Sequence, residues 1–500
     1  MNRRWHSVYL DEDACKGCTI CVTTCPTEAI RVRDGKARII EERCIDCGEC
    51  IRRCPHHAKK ARSDDPAMIA PADSAAAADS GLSALYELKI AIPAPSLYGQ
   101  FPVKYSINEI HRALIDCGFD MVYPVAAATG GIAGASAAFL DRARYPDLPR
   151  PLISSSCPTI IKFIQIRFPS LIENIVPVIA PMELAARMAR AEAKRLFPNR
   201  PKAGVFFISP CAGKITEAKS PLGDETSSVD GVFSMADFHL PMLAALQKAG
   251  EGDGAPQPLS LYPEDIAWSR AGGEAEDTGA EKGTATLAVD GMDQCVKILE
   301  AVEDGKLDSV DFLELMACAS GCVGGPLTAL TPALGKHIVS EREKELAARP
   351  EKTEQTLVVR RELLAEAAAI TDVRSKADER SATARQEGTK TAEPASETAR
   401  NAEAARARRL DCERCLRTER FPPRPALQLD SDYRRAVELM EKMEEIRAEL
   451  PGLDCGCCGA PNCRALAEDI VKGLARKTDC VIILKEQYRK LLERRGGEDA

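Results

Sequence analysis

Two runs near the amino end decide the first part of the fold: Cys15-Lys-Gly-Cys18-Thr-Ile-Cys21-Val-Thr-Thr-Cys25-Pro26 and Cys44-Ile-Asp-Cys47-Gly-Glu-Cys50-Ile-Arg-Arg-Cys54-Pro55. Each reads Cys-x2-Cys-x2-Cys-x3-Cys-Pro, so the segment is an internal repeat. Three thiolates at this spacing wrap one face of a cubane, and the fourth, before proline, reaches across to the other repeat's cluster. Cys15, Cys18, Cys21 and Cys54 are therefore expected to hold one [4Fe–4S] cluster, and Cys44, Cys47, Cys50 and Cys25 a second. Zinc is the competing reading, but zinc sites rarely show eight cysteines in duplicated, proline-terminated runs. Clusters of this kind pass single electrons and have no substrate site of their own.

Working outward, residues 1–62 read as a small α+β domain of the bacterial ferredoxin type. Residues 63–84 read as a linker, and 85–340 as an α/β domain. In the latter, β-prone runs at 88–92, 152–154, 205–208 and 286–289 alternate with amphipathic stretches. The 250–283 segment, rich in Gly, Glu, Asp and Pro, suggests a surface insertion. Residues 341–425 are a charged helical or disordered linker, with no aromatic residue before position 410. Residues 426–500 are expected to be a helix, with an apolar stripe of Tyr433, Val437, Met440, Met443, Ile446 and Leu450, followed by a small, mostly helical cluster domain. The fold class is α/β multidomain.

The chain has 500 residues, enough for several domains, and 21 cysteines. Most sit in tight runs that suit metals better than disulfides. No apolar signal core follows Met1 and no apolar run is long enough to span a membrane, so a reducing cytoplasm is the expected location. A formal net charge of -8 and 5% aromatics argue against nucleic acid as a partner. No Rossmann or P-loop glycine pattern suggests a bound nucleotide. Cys117 and Cys295 lie in amphipathic stretches without partner spacing and read as packed apolar cysteines.

Four further cysteines are spread over three segments: Ser154-Ser-Ser156-Cys157-Pro158, Ser209-Pro-Cys211-Ala-Gly-Lys214-Ile-Thr-Glu217, and Phe312-Leu-Glu-Leu-Met316-Ala-Cys318-Ala-Ser-Gly-Cys322-Val-Gly-Gly325. The first two follow β-prone runs, which puts them at carboxyl ends of strands, where α/β folds build sites. Four thiolates complete one cubane. These segments resemble the three signature motifs of the [FeFe]-hydrogenase catalytic domain, over about 85–340. The resemblance implies an H-cluster: a cubane joined to a diiron subcluster with carbonyl, cyanide and a bridging dithiolate. It would assign Cys157, Cys211, Cys318 and Cys322 to the cubane, with Cys322 bridging to the diiron unit. Lys214 would hydrogen-bond a cyanide ligand, Glu217 would orient Lys214, and Met316 would pack beside the diiron unit.

Three departures matter. Where hydrogen-evolving members carry a proton-relaying cysteine, this chain has Ser156, a far weaker acid than a thiol. Residues 125–138 contain no acid where the usual enzymes carry acidic proton-path residues. Ser209 stands where methionine is usual. The resemblance thus implies an iron–sulfur protein with an H-cluster and slow reversible H2 chemistry, tuned for H2 sensing. A working hydrogenase subunit with an altered proton path, or a scaffold carrying only cubanes, are the alternatives. The expected partners are H2, protons and a redox partner protein, either a ferredoxin or a signalling protein.

The last run is Cys455-Gly-Cys457-Cys458-Gly-Ala-Pro-Asn-Cys463, with Cys480 further on. Cys455, Cys458, Cys463 and Cys480 form a plausible [4Fe–4S] ligand set, leaving Cys457 surplus; a zinc site is the alternative. A small cluster domain placed after a hydrogenase-like domain resembles the order in sensory hydrogenases. Cys412-x2-Cys415, in the charged linker, is expected to have no structural role.

Overall fold

The computed structural model describes residues 5–69, 85–224, 226–248, 261–279, 283–348, 358–359 and 415–496. The chain divides into two compact units. The first comprises 1–62, 162–169 and 422–500, and the second 63–161 and 170–421.

In the first unit, β1 (Val8–Leu10) pairs antiparallel with β4 (Lys59–Ala61), and β2 (Ile30–Arg33) pairs antiparallel with β3 (Lys36–Ile39). The β2–β3 turn is Asp34-Gly35, both at positive φ, which suits a two-residue hairpin. The sequence repeat is also a backbone repeat. Positive φ recurs 29 residues apart at Gly17 and Asp46, Thr19 and Gly48, and Glu28 and His57. These left-handed steps curl each loop inward, and the one-turn helices Ile20–Thr23 and Glu49–Arg52 carry the third cysteine of each run. The ferredoxin segment buries few large apolar side chains. Metal ligation must therefore supply part of its folding free energy.

The carboxyl-terminal part of this unit contains helices Tyr433–Glu449, Cys463–Val471 and Val481–Gly496. Asp432 caps the first, accepting a hydrogen bond from the Arg435 amide, and Asn462 caps the second through the Ala465 amide. Their core is Met443, Leu450, Ala460, Ala465, Leu466, Ala467 and Cys480. The apolar stripe of the first helix is only partly used: Met443 and Leu450 are buried, whereas Tyr433 and Met440 stay exposed.

The second unit contains β5 (Leu88–Pro93), β6 (Met121–Val122), β7 (Leu152–Ile153), β8 (Ala203–Ser209), β9 (Gly231–Ser234), β10 (Thr286–Asp290), β11 (Phe312–Met316) and β12 (Val358–Val359). One sheet has the order β12-β6-β5-β8-β9, parallel except for β12; the other is β10-β11-β7, all parallel. Strands β5 and β8 are apolar along nearly their whole length, as parallel strands covered on both faces must be. The β-prone runs at 88–92, 152–154, 205–208 and 286–289 fall on β5, β7, β8 and β10.

Two stretches differ from the sequence reading. Within 250–283, read as a surface insertion, residues 261–279 fold inward. Helices Pro263–Ala267 and Gly273–Thr278 pack on helix Ala126–Ala138, with Ile266, Trp268, Ser269 and Glu274 buried. The stretch is polar yet buried because its polar groups find partners inside: Trp268 donates to Asp277, and Asp265 accepts from Thr129. The end of the 341–425 linker is also packed. Cys415 is wholly buried, its carbonyl accepts from the Ile179 amide at 2.8 Å, and the Arg417 amide donates to the Pro177 carbonyl. Cys412 lies outside the described residues. Among the described residues no helix is long and apolar enough to cross a membrane.

Candidate metal centres

Three cavities in the first unit are lined by cysteines. Cys15, Cys18, Cys21 and Cys54 line one, together with Val32; Cys25, Cys44, Cys47 and Cys50 line another. The fourth cysteine of each run has crossed to the other run's cavity. Backbone amides reach both crossing sulfurs, Ala29 N to Cys25 Sγ at 3.2 Å and Ala58 N to Cys54 Sγ at 3.3 Å. Burial would raise the Cys54 pKa, but the amides of Ala58, His56 and Lys59 outweigh it and hold it below the ordinary value. Four of the other thiols are driven the opposite way. Burial pushes Cys21 up to about 11 and Cys50 up to about 12, and it raises Cys44 and Cys47 well above the ordinary value. Such thiols stay protonated unless a cation displaces the protons, and ferric or ferrous iron supplies that charge. The donor set fits a cubane in each cavity. Cys455, Cys457, Cys458, Cys463 and Cys480 line the third cavity, with Cys455 and Cys457 exposed.

In the second unit, the cysteines of each of the three motifs follow the carboxyl end of a parallel strand. Cys157 follows β7, Cys211 follows β8, and Cys318 and Cys322 follow β11. The loops converge: Cys322 feels the charges of Cys211, Cys318 and Cys157, and burial drives its thiol far above the ordinary value. Burial likewise pushes Cys211 up to about 11, partly offset by Lys214. Helices Pro158–Arg167 and Ala212–Lys219 start directly after Cys157 and Cys211, and their positive ends favour thiolates. Gly325 allows the second and third motifs to touch. A Cβ there would lie 2.3 Å from the Pro210 carbonyl oxygen, which also accepts from the Leu327 amide. Ser209 is fully buried and donates to the Cys211 carbonyl at 2.9 Å, bracing that loop. Met316 is buried at the end of β11. Cys295 is a core thiol, with Sγ 3.5 Å from the Met316 carbonyl, and Cys117 is half-buried on the edge of a helix.

Lys214 Nζ lies 2.8 Å from Glu217 Oε2, and the other Glu217 oxygen lies 3.2 Å from Arg417 Nη2. Burial alone would raise the Glu217 pKa. The two cations outweigh it and keep the carboxylate ionised below its ordinary range. Ser156 Oγ donates to Glu274 Oε1 at 3.0 Å, and Ser154 Oγ lies 2.7 Å from both Glu274 oxygens. Glu274 has no cation within ion-pair distance among the described residues. Burial and the nearby Glu314 raise its pKa. Glu314, on β11, accepts from the Gly272 and Ala275 amides, but burial still raises it. Next to this pair, Arg270 links Glu343 to Glu276, whose side chain is exposed.

Residues 87–248 and 267–326 match the model of the iron only hydrogenase large subunit, C-terminal domain. Residues 7–55 match the 4Fe-4S dicluster domain, and 450–482 match an Fe-S cluster family, so the span matching the hydrogenase model is flanked in sequence by two spans matching iron–sulfur families. Among solved structures, the chain is similar to an apo [FeFe]-hydrogenase HydA1 variant from Chlamydomonas reinhardtii. Identity is 18% and the TM-score 0.41, covering 59% of this chain and 89% of that one. A HydA(deltaEFG) structure described for stepwise H-cluster assembly is similar at 16% identity and TM-score 0.40, covering 67% and 94%. Likenesses at this level carry no residue assignment. No curated relative matches the chain.

Sequence reading missed four residues around the hydrogenase-domain site: Glu274, Glu314, Arg417 and Cys415. Glu314 lies within the third motif, at an inward position of a buried strand, and a charge on such a strand was the available signal. Glu274 lies in a composition that reads as surface, and Arg417 and Cys415 follow a long charged stretch. No local pattern marks Glu274 or Arg417, and the Cys412-x2-Cys415 spacing that marks Cys415 does not tell of its burial.

Proposed function

We propose that this chain is an [FeFe]-hydrogenase-type redox protein that interconverts H2 with protons and electrons slowly and serves H2 sensing. The convergence of Cys157, Cys211, Cys318 and Cys322 beside the Lys214–Glu217 pair carries the reading. Cys157, Cys211, Cys318 and Cys322 would hold the cubane of an H-cluster, with Cys322 also meeting its diiron unit. When bound, that cofactor supplies the H2-splitting chemistry, and the protein supplies placement, charge and exclusion of solvent.

Each chain residue then has a definable task. Lys214 offers a cation and hydrogen-bond donors to an anionic cofactor. Glu217 fixes the Lys214 ammonium, and Arg417 keeps Glu217 ionised so that this hold persists. Met316 fills the apolar side of the site. Ser156 passes a proton between the site and Glu274, and Glu274 holds it because burial and Glu314 favour its neutral form. Glu314, Glu276 and Arg270 lead outward to solvent. This route replaces the acids missing from 125–138. It is slow because a serine hydroxyl is a poor proton donor at neutral pH, and slow turnover suits a sensor more than a bulk catalyst. The clusters held by Cys15, Cys18, Cys21, Cys25, Cys44, Cys47, Cys50 and Cys54, and by Cys455, Cys458, Cys463 and Cys480, carry electrons to a redox partner, a ferredoxin or signalling protein of the cytoplasm.

A working hydrogenase subunit is the second reading, favoured by the hydrogen bond from Ser156 to Glu274 and the electrostatic influence of Glu314 on that acid. Infrared spectra of anaerobic protein loaded with a synthetic diiron precursor, taken under argon and then H2, test the proposal. Carbonyl and cyanide bands that shift under H2 are expected, and Cys322→Ala should abolish them while the amino-terminal clusters persist. Absence of bands in fully cubane-loaded protein overturns the H-cluster reading in favour of an electron-transfer scaffold. Turnover near that of bulk catalysts overturns sensing.

A further inference from the structure

The third cysteine cavity, lined by Cys455, Cys457, Cys458, Cys463 and Cys480, is built against one particular part of the ferredoxin segment. The Val32 amide donates to the Gly459 carbonyl at 2.8 Å. Gly459 directly follows Cys458, and Val32 itself lines the Cys15–Cys18–Cys21–Cys54 cavity. The approach is so close that a Cβ on Gly459, which sits at φ +78, would lie 2.1 Å from the Val32 carbonyl oxygen. Only glycine fits there. One turn earlier, a Cβ on Gly456 would lie 2.9 Å from Thr23, two residues after Cys21.

Charge locks the same junction. Asp469, on the helix that starts at Cys463, accepts from Arg31 Nε at 2.7 Å and from Arg33 Nη2 at 2.6 Å, with all three side chains largely buried. Arg33 Nη1 also donates to the Cys458 carbonyl at 3.0 Å. Asn462 donates to Glu28 at 2.7 Å, and Glu468 pairs with the buried Arg43. Ion pairs buried this way cost desolvation and define one geometry rather than adding much stability. Their yield here is a fixed register between two cysteine sets.

We infer that Val32 and Gly459 form a specific electron junction between the carboxyl-terminal cluster and the Cys15–Cys18–Cys21–Cys54 cluster, rather than the Cys25–Cys44–Cys47–Cys50 one. This rests on the reading above that both cysteine sets hold [4Fe–4S] clusters. The path from Cys458 runs through one residue and one hydrogen bond to Val32. One electron leaves one cluster as the other accepts it; no bond is made or broken and no proton moves. Arg33 is a positioning residue with an electrostatic effect: its cation near Cys458 stabilises the reduced, more negative form, so it raises that cluster's potential.

The test is electron paramagnetic resonance on the dithionite-reduced full chain, reconstituted anaerobically, with iron and sulfide counted in every sample. The expected result is a carboxyl-terminal cluster signal split and fast-relaxing through coupling to a neighbour. Cys18→Ser/Cys21→Ser, which removes the first cluster, should abolish the splitting, whereas Cys47→Ser/Cys50→Ser should leave it. Gly459→Ala should weaken it with iron content unchanged, and Arg33→Gln should lower the carboxyl-terminal cluster's potential in a redox titration, readouts that do not depend on folding of the ferredoxin variants. Splitting that disappears with the second cluster instead, or no splitting with every cluster reduced, overturns the junction. If Cys455→Ser/Cys463→Ser removes no iron, the carboxyl-terminal cluster reading itself fails, and the junction with it.

Discussion

Asp46 in the first unit and Glu274 in the second are both deeply buried acids, in opposite electrostatic surroundings. Asp46 Oδ2 meets Lys162 Nζ at 2.9 Å, and its other oxygen accepts from the Ser7 and Val8 amides. Burial would raise its pKa, but Lys162, with His6 and these hydrogen bonds, holds it below the ordinary value. Glu274 is hydrogen-bonded by serine hydroxyls alone among the described residues, and burial and the field of Glu314 outweigh these bonds and the charge of Lys214, so its pKa is raised. The first arrangement freezes a charge in place and braces a cluster loop at the left-handed Asp46. The second keeps a proton available. Under the proposed function the contrast has a use: passing electrons needs rigid cysteine loops and no proton exchange, whereas interconverting H2 and protons would need an acid poised to give and take one.

The largest expected effect comes from stripping the cation from the first arrangement. Lys162→Met leaves the Asp46 charge buried, and should destabilise the first unit by about 3–5 kcal/mol. Denaturant unfolding of the reconstituted chain, followed by loss of cluster absorption, reads this directly. A cost under about 1 kcal/mol would erase the distinction between the two acids.

The second test uses pH. Unfolded Glu274 titrates near 4.5, and its folded pKa is higher. Its contribution is therefore fully present below that unfolded value and declines as pH rises toward the folded pKa, by at most about 1.4 kcal/mol per pH unit. For Asp46 the sign reverses. Its folded pKa lies below the unfolded 3.8, so its stabilisation is present above that value and lost on acidification. Urea unfolding of the cofactor-free second unit's signal across pH should flatten above pH 4.5 in Glu274→Gln. An unchanged slope would mean that Glu274 does not hold a proton in the folded chain.

The smallest effect sharpens the second arrangement. Ser156→Cys, which restores a titratable relay next to Glu274, should raise turnover of the loaded protein by less than about tenfold, because general acid–base contributions are shared along a relay. Stopped-flow H2 uptake would measure it. No change would place the slow step beyond Ser156, toward Glu314.

The legible parts share a physical cause. The duplicated cysteine runs, the Asp34-Gly35 hairpin and the apolar strands β5 and β8 follow from local spacing, turn chemistry and burial pattern, all written in adjacent residues. The Cys157, Cys211, Cys318 and Cys322 segments were recognisable for the same reason: each motif is short and its cysteines sit just after a strand. Tertiary structure alone decided three things. It moved the polar 261–279 stretch inside, because its groups partner each other and helix Ala126–Ala138. It set Arg417 against Glu217 across some two hundred residues of sequence. And it placed Gly459 on Val32, making one unit of the two ends of the described chain. Each of these is a pairing of distant polar groups in a low-dielectric interior, where an unpaired group costs more than a paired one and the fold selects the partner. Composition and periodicity record which residues are polar or apolar; they do not record which distant residue will satisfy a buried charge.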